Sequence, residues 1–96
     1  MSYKLKFTPV SWKEWQKLDK SIQSQLKKKL KERLQNPHVP ADKLRGFTAV
    51  YKIKQRASGY RLVYEVLDEE ITVLVIVVGK RNRSDVYKKA VQRLSS

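Results

Sequence analysis

Between residues 49 and 79, three runs rich in β-branched and aromatic residues (49–56, 60–67 and 71–79) are separated only by Ala57-Ser58-Gly59 and Asp68-Glu69-Glu70. Breaks this short admit hairpins and exclude crossover helices, so the three strands must form an antiparallel meander. The flanking segments have to cover it. Tyr3, Leu5 and Phe7 fall on one side of a short N-terminal strand. Thr8-Pro9 reads as N-cap and first helical residue, with Trp12, Trp15 and Leu18 following at helical spacing. Asp19 caps a second helix in which Ile22, Leu26, Leu30 and Leu34 recur, ended by Asn36-Pro37. A loop over 36–48 contains Leu44-Arg45-Gly46, and a last helix from Ser84 to Leu94 places Val86, Ala90, Val91 and Leu94 on one side. The predicted order is β-α-α-β-β-β-α: an α+β, two-layer fold with an antiparallel sheet packed on two N-terminal helices and a short C-terminal helix. At 96 residues a chain buries roughly 60–70% of the surface it exposes unfolded, enough for one core and one domain over 1–96.

Strand parity then sorts the side chains. With Ser58-Gly59 as a two-residue turn, Arg56 faces Arg61, Lys54 faces Val63 and Lys52 faces Glu65. Tyr51, Ile53, Leu62, Tyr64 and Val66 share the helix-covered face, and Lys52, Lys54, Arg56 and Arg61 share the opposite one. A one-residue slip would set Arg61 beside Ile53, which burial disfavours. The run 71–79 is apolar on both sides, so this strand is expected to be interior. Leu74, Ile76 and Val78, on the cationic side, need a cover from the C-terminal helix or a partner.

Charge narrows the function. Twenty-two Lys and Arg against nine Asp and Glu give a formal charge of +13, which opposes compaction and points to a polyanionic partner, nucleic acid first and an acidic protein second. No helix pairs a basic face with a broad aromatic one, so a membrane surface is not expected. With zero cysteines, a disulfide framework and a zinc–thiolate site are excluded. The longest apolar run, Ile71 to Val78, has eight residues, against about 20 for a membrane span. The N-terminal residues lack the apolar block of a signal peptide, and a soluble, cytoplasmic protein is expected.

Common catalytic equipment is missing. His38 is the single histidine; between prolines in a loop, it reads as a solvated side chain, and no Ser–His–Asp or Cys–His set can be built. There is no phosphate-cradling glycine loop and no metal-ligand spacing, so neither a cofactor nor a metal is expected. What remains is Lys, Arg and Tyr. That equipment suits RNA cleavage by the RNA's own 2′-hydroxyl, which needs a base at the 2′-oxygen, charge at the phosphorane and an acid at the 5′-oxygen. Lys52, Lys54 and Arg61, joined by Arg81 just beyond the last strand, would hold a phosphate. Tyr87, early in the last helix, would stack on a base or orient a hydroxyl. A cation ~6 Å from an amine at an effective dielectric of ~20 opposes its protonation by roughly 2–3 kcal/mol. Lys54, amid Arg56 and Arg61, is therefore the predicted base, whereas Glu65 would keep Lys52 protonated. The alternative is a solvated cationic face that merely binds. Along the second helix Lys20, Lys27, Lys28 and Lys31 point away from the apolar stripe; Trp12 and Trp15 lie at core spacing.

The stretches Lys43-Leu44-Arg45-Gly46, Tyr51-Lys52-Ile53-Lys54, Ser58-Gly59-Tyr60-Arg61-Leu62-Val63-Tyr64, Val78-Gly79-Lys80-Arg81 and Ser84-Asp85-Val86-Tyr87 closely resemble RelE toxins of bacterial toxin–antitoxin pairs. The likeness extends to Trp15 and the Lys27-Lys28-Lys29-Leu30 helix, nearly the whole chain. It implies a RelE-like, microbial RNase-type fold and a ribosome-dependent endoribonuclease that cuts messenger RNA in the ribosomal A site. The implied active site comprises Lys52, Lys54 as general base, Arg61 as phosphorane stabiliser, Arg81 as leaving-group acid or its electrostatic equivalent, and Tyr87 stacked on the RNA. RNA or ribosome binding falls to Arg45, Arg56, Lys80 and Arg83 with the helix lysines Lys20, Lys27, Lys28 and Lys31, docked on small-subunit rRNA. The implied partner is a RelB-like antitoxin, on the apolar side of strand 71–79 under the last helix, moving or covering Tyr87. Operator DNA would be bound only through the antitoxin complex. A Glu–His pair, used elsewhere in the superfamily, is missing at these places. Two other readings stay open: a non-enzymatic basic nucleic-acid-binding module, and a gyrase-inhibiting ParE-like toxin.

Overall fold

A computed structural model describes residues 2–80 and 85–95. The elements are β1 (Lys4–Phe7), α1 (Pro9–Gln16), α2 (Lys20–Gln35), β2 (Val50–Gln55), β3 (Tyr60–Leu67), β4 (Thr72–Lys80) and α3 (Asp85–Ser95), in the predicted order. Thr8 caps α1 as its sequence implies: its hydroxyl accepts from the Ser11 amide at 3.1 Å, and Pro9 occupies the first turn. Asp19 stands at the N-cap of α2 but makes no side-chain capping bond. Among the described residues no helix is long and apolar enough to cross a membrane.

The sheet order is β1-β4-β3-β2. The meander β2–β3–β4 is antiparallel, but β1 joins the far side of β4 in parallel, so the sheet is mixed rather than wholly antiparallel. The cause is connectivity. Strand β1 reaches β2 through two helices instead of a hairpin, leaving its direction open, and Lys4 and Thr8 donate to Ile71 and Val75 carbonyls in the parallel sense.

Two details of register differ from the sequence expectation. The β2–β3 connection is a four-residue loop over 56–59, not a two-residue turn, closed by the Gly59 amide on the Gln55 carbonyl at 2.9 Å, with Gly59 at φ +76°. Lys54 consequently pairs with Arg61, Lys52 with Val63, and Val50 with Glu65. The slip is two residues, so every side chain keeps its predicted face while its neighbours change. In β4, Val63 pairs with Val77 and Tyr64 with Val75, leaving Ile76 as the extra residue of a bulge. Parity reverses there: Val78 packs with the helix-side core and Val77 with the other face, so Val78 is not on the cationic side.

Each face has its own apolar cluster. On one, Trp15, Leu26 and Leu30 of the helices pack on Tyr51, Ile53, Leu62, Tyr64, Val66, Val73, Val75 and Val78, with Tyr3, Leu5 and Phe7 alongside. On the other, Val86 and Ala90 of α3 pack on Val50, Val63, Val77 and Leu44, so α3 supplies the anticipated cover. It is fastened at its far end by Arg93, whose guanidinium meets both oxygens of Glu14 at 2.9 Å and the Ile76 carbonyl at 2.8 Å. Trp12 departs from its expected core place: it is 46% exposed, against 6% for Trp15. Ser11 and Trp15 are the inward residues of α1, with the Ser11 hydroxyl donating to Val75, which turns Trp12 to the flank, edge-on to Phe7 at 5.2 Å. Val91 likewise is exposed.

Candidate active site

The second face keeps a cationic end beyond its apolar cluster. The Lys54 carbonyl points out of the sheet edge, so Lys54 and Arg61 are a non-hydrogen-bonded pair, the class in which Cα atoms lie about 4.5 Å apart and side chains are closest. With Arg56 and Gly59 they line a cavity of about 320 Å³. Arg61 is only 8% exposed, and its guanidinium donates to its own neighbour, the Tyr60 carbonyl, at 3.1 Å. Among the described residues no carboxylate pairs with Lys52, Lys54 or Arg61; the ion pairs lie elsewhere, at Arg33–Asp42, His38–Asp68, Lys89–Asp85 and Arg93–Glu14. A mostly buried guanidinium beside an ammonium, with no carboxylate against either among the described residues, can hold an oxyanion.

Further along the same face, the Lys52 ammonium stands 5.6 Å from the centroid of the Tyr87 ring. The Tyr87 hydroxyl is buried and has no hydrogen-bond partner among the described residues. Gly79 pairs with Arg61, and a Cβ there would lie 3.2 Å from Val86 Cγ2; glycine lets α3 close down on β4 and bring Tyr87 toward the lysines. Four predicted residues (Lys52, Lys54, Arg61 and Tyr87) thus share one face, with Arg56 at its rim. Lys80 is exposed at the end of β4, across from Tyr60. Arg81 and Arg83 lie outside the described residues. Lys20, Lys27, Lys28 and Lys31 are exposed on α2, which belongs to the other layer, and Arg45 is exposed in the loop before β2.

His38 is not merely solvated. One ring nitrogen meets the Tyr51 hydroxyl at 3.0 Å and the other meets Asp68 at 2.9 Å. The Tyr3 hydroxyl and then His38 hold the Asp68 carboxyl below its ordinary range, and the same contact raises the Tyr3 phenol. Burial pushes the Tyr64 phenol up, opposed by Arg33. Two residues have no site role in the sequence reading: Lys29 donates to the Lys54 carbonyl at 2.7 Å, and Arg33 to the Lys52 carbonyl at 3.2 Å. Their four-residue spacing on one row of α2 was the available signal.

The family model described as the ParE toxin of the type II toxin–antitoxin system parDE matches residues 5–85. The mRNA interferase toxin RelE of Escherichia coli K12 is 55% identical over 94 residues, spanning 98% of this chain and 99% of that protein. A double arginine variant of Escherichia coli RelE in the free state superposes with a TM-score of 0.89 at 53% identity, covering 98% of this chain and 99% of that one. The matched chain of the intact Escherichia coli RelBE toxin–antitoxin complex gives 0.82 at 54% identity, covering 85% of this chain and all of that one. A mixed four-stranded sheet with helices on both faces, and full-length likeness to RelE, place the chain in the RelE family of type II toxin–antitoxin toxins, within the RelE/ParE superfamily.

Proposed function

We propose that this chain is the toxin of a type II toxin–antitoxin pair, an endoribonuclease that cleaves messenger RNA in the ribosomal A site and so halts translation. The observation that carries the reading is the Lys54–Arg61 cross-strand pair, cationic and without a carboxylate partner among the described residues. In the reaction Lys54 takes the proton of the 2′-hydroxyl, whose oxygen attacks the adjacent phosphorus. Arg61 and Lys52 hold the non-bridging oxygens as charge builds on them. The bond to the 5′-oxygen breaks, and that oxygen takes a proton, a step assigned to Arg81. The products are a 2′,3′-cyclic phosphate and a 5′-hydroxyl. Tyr87 stacks on a base at the site, and Lys20, Lys27, Lys28 and Lys31 dock α2 on ribosomal RNA. Among the described residues the site has no strongly acidic group, so RNA preset for in-line attack by the ribosome supplies what the side chains do not. The chain acts in the cytoplasm, a RelB-like antitoxin is its partner, and operator DNA is reached only through that complex.

The test is primer extension on a defined message in ribosomes stalled with an open A site, comparing wild type with Lys54→Ala. A ribosome-dependent cut in the A-site codon that disappears in the variant is the expected result. Growth arrest without a cut would replace this reading with a ParE-like one, which the match to the ParE model favours as the second choice. Neither cut nor arrest would leave a binding module.

A further inference from the structure

Strand β2 is the sheet edge opposite β1, so one side of its backbone has no strand partner. It also carries Lys52 and Lys54, which makes any freedom of that edge a freedom of the site. The outward carbonyls are nevertheless met. The Leu44 amide donates to the Val50 carbonyl at 2.8 Å, Arg33 to the Lys52 carbonyl at 3.2 Å and Lys29 to the Lys54 carbonyl at 2.7 Å. One step further on, the Gln55 side chain donates to Gln25 at 2.7 Å. Gln25, Lys29 and Arg33 form one row of α2, each step ~6 Å along the axis. Alternate residues of a strand are ~6.7 Å apart, so a helix running antiparallel to β2 can stitch it at matching intervals. Arg33 is itself held, by Asp42 at 2.6 Å and by the Tyr64 hydroxyl at 2.9 Å. Lys29 differs from Lys27, Lys28 and Lys31 in being half-buried where they are exposed.

We infer that Lys29 and Arg33 are positioning residues for RNA cleavage: they clamp the main chain of Lys54 and Lys52 from the sheet edge and set where the two ammonium groups point. Lys29 therefore does not serve the docking face on which it lies in sequence. This inference rests on Lys54 being the base, so the experiment tests the two separately. Ribosome affinity and the single-turnover cleavage rate at saturating ribosomes are measured for wild type, Lys29→Met, Lys29→Arg, Lys28→Met and Lys54→Ala, with rates normalised to folded protein; Lys29→Gln replaces Lys29→Met where the latter does not fold. Lys29→Met should keep ribosome affinity and lose cleavage rate by about tenfold to a hundredfold, with most of the rate restored in Lys29→Arg. Lys28→Met, on the docking face, should weaken ribosome binding. A saturated rate unchanged in Lys29→Met, whether or not affinity falls, overturns the inference while leaving Lys54 as base. A rate unchanged in Lys54→Ala overturns the site assignment and the inference with it.

Discussion

The two ends of the sheet treat polar groups in opposite ways. At the end where β3 turns into β4, Tyr3, Asp68, His38 and Tyr51 form a continuous chain of hydrogen bonds, and nearby Tyr64 donates to the Pro37 carbonyl and accepts from Arg33. At the other end, where β2 turns into β3, Lys54 and Arg61 stand side by side without a carboxylate among the described residues, and along the same face the Tyr87 hydroxyl is buried and unpartnered. Satisfied polar groups stabilise a fold, whereas unsatisfied buried ones cost free energy and persist where a ligand completes them. The first end thus has its polar groups satisfied within the fold, and the second is the one proposed to take the RNA, although both are rich in tyrosine and charge.

The contrast is sharpest at Arg61. Replacing it with Met, which keeps the apolar stem and removes the charge, should cut A-site cleavage by about 10²–10³-fold while leaving the urea midpoint unchanged or higher, because a buried charge without its counter-charge is lost. A large fall in stability with cleavage per folded molecule preserved would reverse the assignment of the two ends. Tyr64→Phe should behave in the opposite way. It strands the Pro37 carbonyl and one Arg33 contact, costing about 1–2 kcal/mol in equilibrium unfolding, with cleavage per folded molecule retained.

The smallest effect concerns pH. Asp68 has its carboxyl held below the ordinary range, first by the Tyr3 hydroxyl and then by His38. A depressed carboxyl stabilises the fold above its unfolded-state pKa, and that contribution disappears as pH falls through the lower, folded-state value. Asp68→Asn should accordingly narrow the stability gap between neutral and acid solution, read from urea midpoints at several pH values. Because Asp68 is exposed, the change is small. An acid limb identical to wild type would remove Asp68 from the network's energetics.

Much of this was legible before folding was considered. The amphipathic helices, the Thr8-Pro9 start of α1 and the three-strand meander all follow from local pattern, and the cationic side of the sheet follows from alternation. Lys52, Lys54 and Arg61 share that side under the two-residue turn the sequence suggests and under the four-residue loop observed, because an even slip preserves faces. What the slip changes is the neighbour: Lys54 is set across from Arg61 instead of Val63, and Glu65 moves away from Lys52. Local alternation carries no information about that choice, which the backbone of residues 56–59 makes. The same limit explains the other differences. The bulge at Ile76, the parallel placement of β1 and the outward turn of Trp12 each depend on contacts far away in sequence. Spacing along α2 could mark Lys29 and Arg33 as one row, but only packing beside β2 shows whose carbonyls they hold. The sequence by itself determined which side chains can meet, through the two-residue period of a strand and the 3.6-residue period of a helix. Tertiary structure decided which of them do, since register and edge contacts are settled by turn geometry and long-range closure rather than by any local preference.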